Sequence, residues 1–439
     1  MKLDRRDFIR ASAAGVAGVF GSTGKALAQS TAGISPSADN STNFDLPLNP
    51  DFKTKHAIVI VYGNGARKKD VIDNPQYAPH QTRIASQGTL FTEDFGETAN
   101  LHGYMYTELY TGRDAPSQHP RFPTWTEYVR KNTGLPASKF WMFQPVSYYR
   151  AWTWDRKHFS QHPDYGLKYG ATSITMNKVF FEGNKTDPRL MVDQQVEVGL
   201  GHTEKERQDI AEFMQDVVEK HKYLPASTKT PLIQRNLQMN DAVCFQVAGE
   251  VLKAFKPRLI TIQMLALDDA HADHGFWNYD SDYEEYLQHI SATDELIGKL
   301  WDTVQADPYL SRTTSLFLRP ECGRDDEVNI YGQLNHSPGN YYAHYVWQLA
   351  VGPDFKKGLV IKEAVNRRDF CPSLVYALSG GKAEYATGHV RTQMFKDEYK
   401  LPAYQATRVA RMLEPKVDLE ALHLQKQAFN QARRGRIYL

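Results

Sequence analysis

Three carboxylates and two imidazoles stand within one short run, Asp268-Asp269-Ala270-His271-Ala272-Asp273-His274. Burying so many ionisable groups is costly unless a cation or hydrogen-bond partners satisfy them. A second polar cluster, Glu321-Cys322-Gly323-Arg324-Asp325-Asp326, comes about 50 residues later and is followed by His336. Upstream, Asn64 sits in a Gly63-Asn64-Gly65 turn and His102 in Asn100-Leu101-His102-Gly103. Carboxylate and imidazole donors without thiolate pairs suit Zn, Mn or Fe better than an iron–sulfur centre. A divalent ion with an open position polarises a phosphoryl or sulfuryl oxygen and lowers the pKa of bound water. Arg324 can grip an anionic ester oxygen with its planar fork. These parts suit ester hydrolysis. The bland alternative is a salt-bridged surface cluster without metal, with His102 as a solvent-facing or capping imidazole.

The elements needed to position these groups are legible as an alternation of strands and helices. His56–Tyr62 is a continuous apolar run, as expected of a central buried strand. Leu259 to Leu267 is a second apolar run, an amphipathic helix over Tyr283 to Val304 follows, and Thr313 to Leu318 is a further strand. Each of the two clusters then falls at the carboxyl end of a strand, where open α/β sheets hold their ligands. A helix is expected from the Asn100–His102 region to Gly112, and a helix start is a place where unpaired N–H groups hold an anion. In a parallel sheet, Asn64, His102, the Asp268–His274 cluster, Glu321 to Arg324 and His336 all converge on one crevice. Residues from about 135 to 250, with the aromatic block Phe140-Trp141-Met142-Phe143, Tyr148, Tyr149, Trp152 and Trp154, read as an insertion covering the sheet edge. Such rings either wall a substrate pocket or fill a subdomain core. Nothing recurs at a fixed period, so a solenoid or propeller is not expected.

Composition sets the outer bounds. A chain of 439 residues, 41% hydrophobic and 23% charged, is long enough for one large core or two. A net charge of +1 gives no electrostatic reason to expect nucleic acid or an anionic membrane as partner. The 3 cysteines, Cys244, Cys322 and Cys371, are too few and too scattered for a disulfide framework. Residues 1–28 read as an export leader: Arg5-Arg6 in a twin-arginine pattern, a short Ala/Gly-rich apolar stretch and an Ala26-Leu27-Ala28 cleavage site. That stretch is shorter than the roughly 20 residues a spanning helix needs, so no transmembrane segment is expected in the mature chain. The expected partner is therefore the twin-arginine export machinery, and the expected location is periplasmic or secreted. Residues 29–50 read as a linker, 51–400 as the α/β domain and 401–439 as a basic helical tail.

The layout from Ala57 to Gly381 resembles the alkaline phosphatase/sulfatase superfamily, in a divergent, secreted, sulfatase-like branch. The resemblance rests on the Asp-rich cluster ending His271-Ala272-Asp273-His274-Gly275, the helix ending Leu296-Ile297-Gly298-Lys299-Leu300-Trp301, and the strand after it. Val351-Gly352-Pro353, Lys356-Lys357-Gly358 and the helix start Asp369-Phe370-Cys371-Pro372-Ser373-Leu374 extend it. The resemblance implies a layered α/β/α sandwich with a mostly parallel sheet, and a metal-dependent hydrolase of phosphate or sulfate esters, including sugar esters. Carried over by position, Asp268, Asp269, His271, His274, Glu321 and His336 surround a divalent metal, and Asn64 and Arg324 bind the substrate. His102 stands where the superfamily nucleophile would be, acting as nucleophile or general acid/base. The chain departs from the pattern where Asn64 replaces the first metal-binding Asp and Glu321-Cys322-Gly323 replaces Asp-His-Gly. These departures leave open a member of the same fold that holds no metal and serves as a binding or assembly protein.

Overall fold

The computed structural model describes residues 46–63, 65–97, 102–115, 120–144, 160, 162–175, 196–197, 202–221, 237–268, 282–325, 334–336 and 340–405. The chain divides into two units, residues 1–36 and 37–439, and the described residues belong to the second.

The strands are β1 (His56–Tyr62), β2 (Thr89–Phe95), β3 (Phe140–Gln144), β4 (Thr172–Thr175), β5 (Val196–Glu197), β6 (Leu259–Met264), β7 (Thr314–Pro320), β8 (Tyr345–Val351), β9 (Leu359–Ile361) and β10 (Val365–Asn366). They form one sheet in the order β10-β2-β8-β7-β1-β6-β3-β4-β5, with β9 also pairing β2. The centre is parallel: β1 runs between β6 and β7 with Ile60 opposite Ile262 on one side and Leu318 on the other. Strand β8 is antiparallel to both β7 and β2.

All seven residues of β1 are buried, because both faces of the sheet are covered. Ile58, Ile60 and Tyr62 enter one core, while Ala57, Val59 and Val61 enter the other. Burying each branched side chain contributes roughly 1.5–3 kcal/mol. The longer helices are α1 (Pro79–Ala85), α2 (His102–Thr111), α3 (Trp125–Thr133), α4 (Glu204–His221), α5 (Leu237–Phe255), α6 (Asp282–Ala306) and α7 (Phe370–Ser379). The first core takes α1, α4, α5 and α6, and the second takes α2, α3 and α7. The result is a three-layer α/β/α sandwich with a mostly parallel sheet, as the sequence predicts.

Local chemistry fixes the helix ends. Thr124 and Glu127 close a capping box on α3, and Gly134 at φ 65° ends it. Helix α1 starts at Pro79, and its His80 and Gln81 N–H groups donate to Asp294 of α6 at 2.8 Å each. No described helix is long and apolar enough to cross a membrane.

The stretch read as an edge-covering insertion is partly sheet. Phe140–Gln144 pairs parallel with β6 and with β4, so these residues extend the central ladder. Alternation explains the aromatic block here. Trp141 and Phe143 point into one core, and Phe140 and Met142 into the other. Tyr148, Tyr149, Trp152 and Trp154, the leader and the tail beyond 405 lie outside the described residues.

Candidate active site

The carboxyl ends of β1, β6 and β7 are stitched together past the regular ladder. Glu321 N–H donates to Tyr62 O at 2.9 Å, Gly63 N–H to Met264 O at 2.8 Å, and Ala66 N–H to Cys322 O at 3.1 Å. Two glycines permit this. Gly65 has φ +85°, and a Cβ there would stand 2.4 Å from Gly323 O. A Cβ on Gly323 would stand 1.9 Å from Tyr342 O.

At this edge Glu321 is fully buried, and one carboxylate oxygen accepts from His102 Nδ1. An ionised carboxylate only accepts, so Nδ1 carries the proton and Nε2 is the basic nitrogen of the ring. The His102 side chain is 18% exposed, so the imidazole reaches solvent while its carboxylate does not. Tyr106, one turn along α2, also favours the charged form of Glu321. Burial pushes the Glu321 carboxyl up, but His102, Tyr106 and His336 together hold it below the usual range. The His336 ring stands edge-on to His102, centroids 4.9 Å apart and planes at 70°. Structure therefore brings together His102, Glu321 and His336, drawn from a helix start, a strand end and a loop.

Arg324 is tied to the backbone around it. It is fully buried. Its Nε donates to Gly65 O at 3.3 Å, Nη1 to Leu334 O at 2.8 Å, and Nη2 to Leu267 O. The guanidinium also lies over the Tyr286 ring at 5.2 Å. Three of the described bonds of this buried arginine therefore go to backbone carbonyls. It braces the ends of β1, β6 and the His336 loop against one another, and Asp325 N–H adds a bond to Asn335 O at 2.7 Å.

Asp268 closes a short turn, Ala266–Asp268, just past β6. Its side chain, with Asn64, Asp269, His271 and His274, lies outside the described residues. Among the described residues, no group of three His, Cys, Asp or Glu is arranged to hold a metal ion. His102 Nδ1 and Glu321 bond to each other, so the described residues do not by themselves make up a metal shell. Cys322 is buried, and burial together with Glu321 raises its thiol well above the usual value, which makes it unreactive.

No family model matches this sequence, and no curated protein matches it. Solved structures do resemble it. Wild-type alkaline phosphatase PafA superposes with a TM-score of 0.54 at 9% identity, covering 78% of this chain and 99% of that one. A multiply substituted PafA variant gives 0.53 at 10% identity over the same shares. The lipoteichoic acid synthase LtaP from Listeria monocytogenes gives 0.47 at 12% identity, with 84% of this chain and 82% of that one covered.

The fold is that of alkaline phosphatase PafA. Within this alkaline-phosphatase fold, sequence reading missed two positions that shape the site. Tyr106 follows His102 by four residues, so both lie on one face of α2, and that spacing was the available signal. Asp241 on α5 receives the N–H groups of Leu265 and Ala266 at 2.7–3.1 Å, anchoring the turn that leads into the Asp-rich cluster. Burial raises this carboxyl to about 8 against the opposing pull of those N–H groups. No sequence pattern marks a carboxylate that caps a turn some 24 residues downstream.

Proposed function

We propose that this chain is an exported hydrolase of phosphate or sulfate esters. One observation carries the proposal: a solvent-reaching imidazole, oriented by a buried carboxylate, at the start of a helix on the edge of an alkaline-phosphatase sheet. The buried Glu321 fixes the His102 tautomer and raises the basicity of Nε2, the relation by which carboxylates tune catalytic imidazoles. First-turn N–H groups of α2 have no partners within the helix and favour an anionic phosphoryl or sulfuryl group nearby. In this reading His102 accepts or donates the proton of the ester reaction, or attacks directly. Glu321 stabilises its charged form, His336 lines the same crevice, and Arg324 keeps the three loops in register.

The expectation of a divalent ion, Zn, Mn or Fe, rests on Asp268, Asp269, His271 and His274, and the ion would supply charge stabilisation to the ester oxygens. Export rests on the Arg5-Arg6 leader, and retention of the protein in the cytoplasm after Arg5→Lys with Arg6→Lys would support it.

The test is turnover of 4-nitrophenyl phosphate and 4-nitrophenyl sulfate by the exported, purified protein, with elemental analysis of the same sample. Turnover that falls at least 100-fold in His102→Ala supports the hydrolase. A folded wild-type protein that turns over neither ester, with or without added Zn, Mn or Fe, supports a binding or assembly role instead.

A further inference from the structure

Behind the site, on the sheet face that carries α2 and α7, three arginines are fully buried: Arg319 on β7, Arg367 just before α7, and Arg391. Two carboxylates contact them. Asp94 lies 3.1 Å from Arg391 and 3.4 Å from Arg319, and Glu108 lies 2.9 Å from Arg367. Nearby Asp369 turns its carboxylate elsewhere, to the N–H groups of Asn366 and His389 and to the Tyr404 hydroxyl.

The hydrogen-bond account of this cluster does not balance. Arg391 donates to Gln348 Oε1 and to Asn366 O, and Arg319 Nε donates to Pro320 O. No hydrogen bond reaches Arg319 Nη1 or Nη2, Arg367 Nε or Nη2, Arg391 Nε, Gln348 Nε2 or Asn366 Nδ2. Against these seven nitrogens stand two carboxylate oxygens of the contacting pairs, Asp94 Oδ1 and Glu108 Oε1. Buried polar groups are normally satisfied, and each one left unmade is costly. Here donors outnumber acceptors seven to two, and three guanidiniums face two carboxylates.

Water answers such a surplus poorly, because each molecule brings two further O–H donors into a donor-rich place. An anion only accepts, and several N–H groups share it. The ion must also be small. All three guanidiniums are at zero exposure, with Phe370 under Arg319 at 5.4 Å and Phe91 under Arg391 at 5.0 Å. Gly96 closes another side, since a Cβ there would stand 2.0 Å from Arg367 Cζ. We propose that Arg319, Arg367 and Arg391, with the amides of Gln348 and Asn366, enclose a structural site for a monatomic anion, chloride being the abundant one.

This site is independent of the ester chemistry, and its test reads no activity. The purified full chain is unfolded and refolded in gluconate, then titrated with chloride at constant ionic strength while the thermal midpoint is followed. The expected result is a saturable rise of several degrees in the wild type, absent in Arg319→Met. Crystals grown in bromide should show an anomalous peak within hydrogen-bonding distance of Arg319 and Arg367. That second measurement stands even where the Arg319 variant does not fold. A midpoint that does not distinguish chloride from gluconate overturns the proposal. So does a site filled by ordered water with no bromide signal, and so does a full chloride response retained by Arg319→Met.

Discussion

Replacing Arg324 by Met removes the brace and keeps most of the side-chain volume. The variant strands three carbonyls, those of Gly65, Leu267 and Leu334, around a side chain at zero exposure. An unsatisfied buried acceptor costs about 1–3 kcal/mol, and bonds to a charged donor are the stronger kind. Part of that is recovered, because Met carries no guanidinium to desolvate and the loops relax. The expected loss is roughly 3–5 kcal/mol, a large share of an ordinary stability of about 5–15 kcal/mol. Lysine carries its three donors on one nitrogen instead of spreading them over a planar fork, so Arg324→Lys should restore only part of the three links. Urea unfolding with a shared m-value measures both. If Arg324→Met loses less than about 1 kcal/mol, the carbonyls have other partners and the bracing argument is wrong. If the variant is stable but binds phosphate or sulfate measurably less well than wild type, the substrate role expected from sequence returns.

Three further outcomes follow from the same geometry. Glu321→Gln keeps the shape but cannot stabilise a charged His102, so ester turnover should fall about 10–100-fold, read by steady-state kinetics at pH 7. An unchanged rate would remove Glu321 from the site. Burial raises the Asp241 carboxyl to about 8 in the folded chain, so the native state holds a proton that the unfolded chain has released. Stability should therefore decline as pH rises from about 4 towards 8, by on the order of 5 kcal/mol. Urea midpoints across that window should be flatter in Asp241→Asn, and equal slopes would contradict this. Gly323→Ala should cost several times more than Gly134→Ala. Gly134 has a positive φ, which Gly323 lacks, but nothing within 4 Å of an added Cβ, so its cost is only the backbone strain of about 1 kcal/mol. Thermal or urea midpoints of the pair test this.

The parts of the fold legible in the sequence are those whose signal is local. Strand β1 begins and ends where its apolar run does, because every residue of it is buried. Helix α6 shows its stripe of Tyr286, Ile290, Ile297, Leu300 and Trp301, and all five line one core. His102 and Glu321 were candidates because each stands at the end of an element, and a parallel sheet gathers such ends at one edge; His336 was one because it follows in the next loop. The use of Arg324 was not legible. It depends on which way three carbonyls point, and no residue type announces that. The Phe140–Phe143 run reads as part of an insertion covering the sheet edge because continuous aromatics suit a pocket wall as well as a strand buried on both faces. The arginine cluster was hidden by distance along the chain, with Arg391 reaching Asp94 across 297 positions.

The back-to-back glycines at 65 and 323 carry a consequence for how such a protein would open and close. With no side chain between them, the tips of the central strands behave as a single block, and Glu321 rides on that block. His102 stands outside that block, in the first turn of α2. Opening would pull His102 away from a stationary carboxylate, so the same hydrogen bond that tunes the imidazole would also act as the latch.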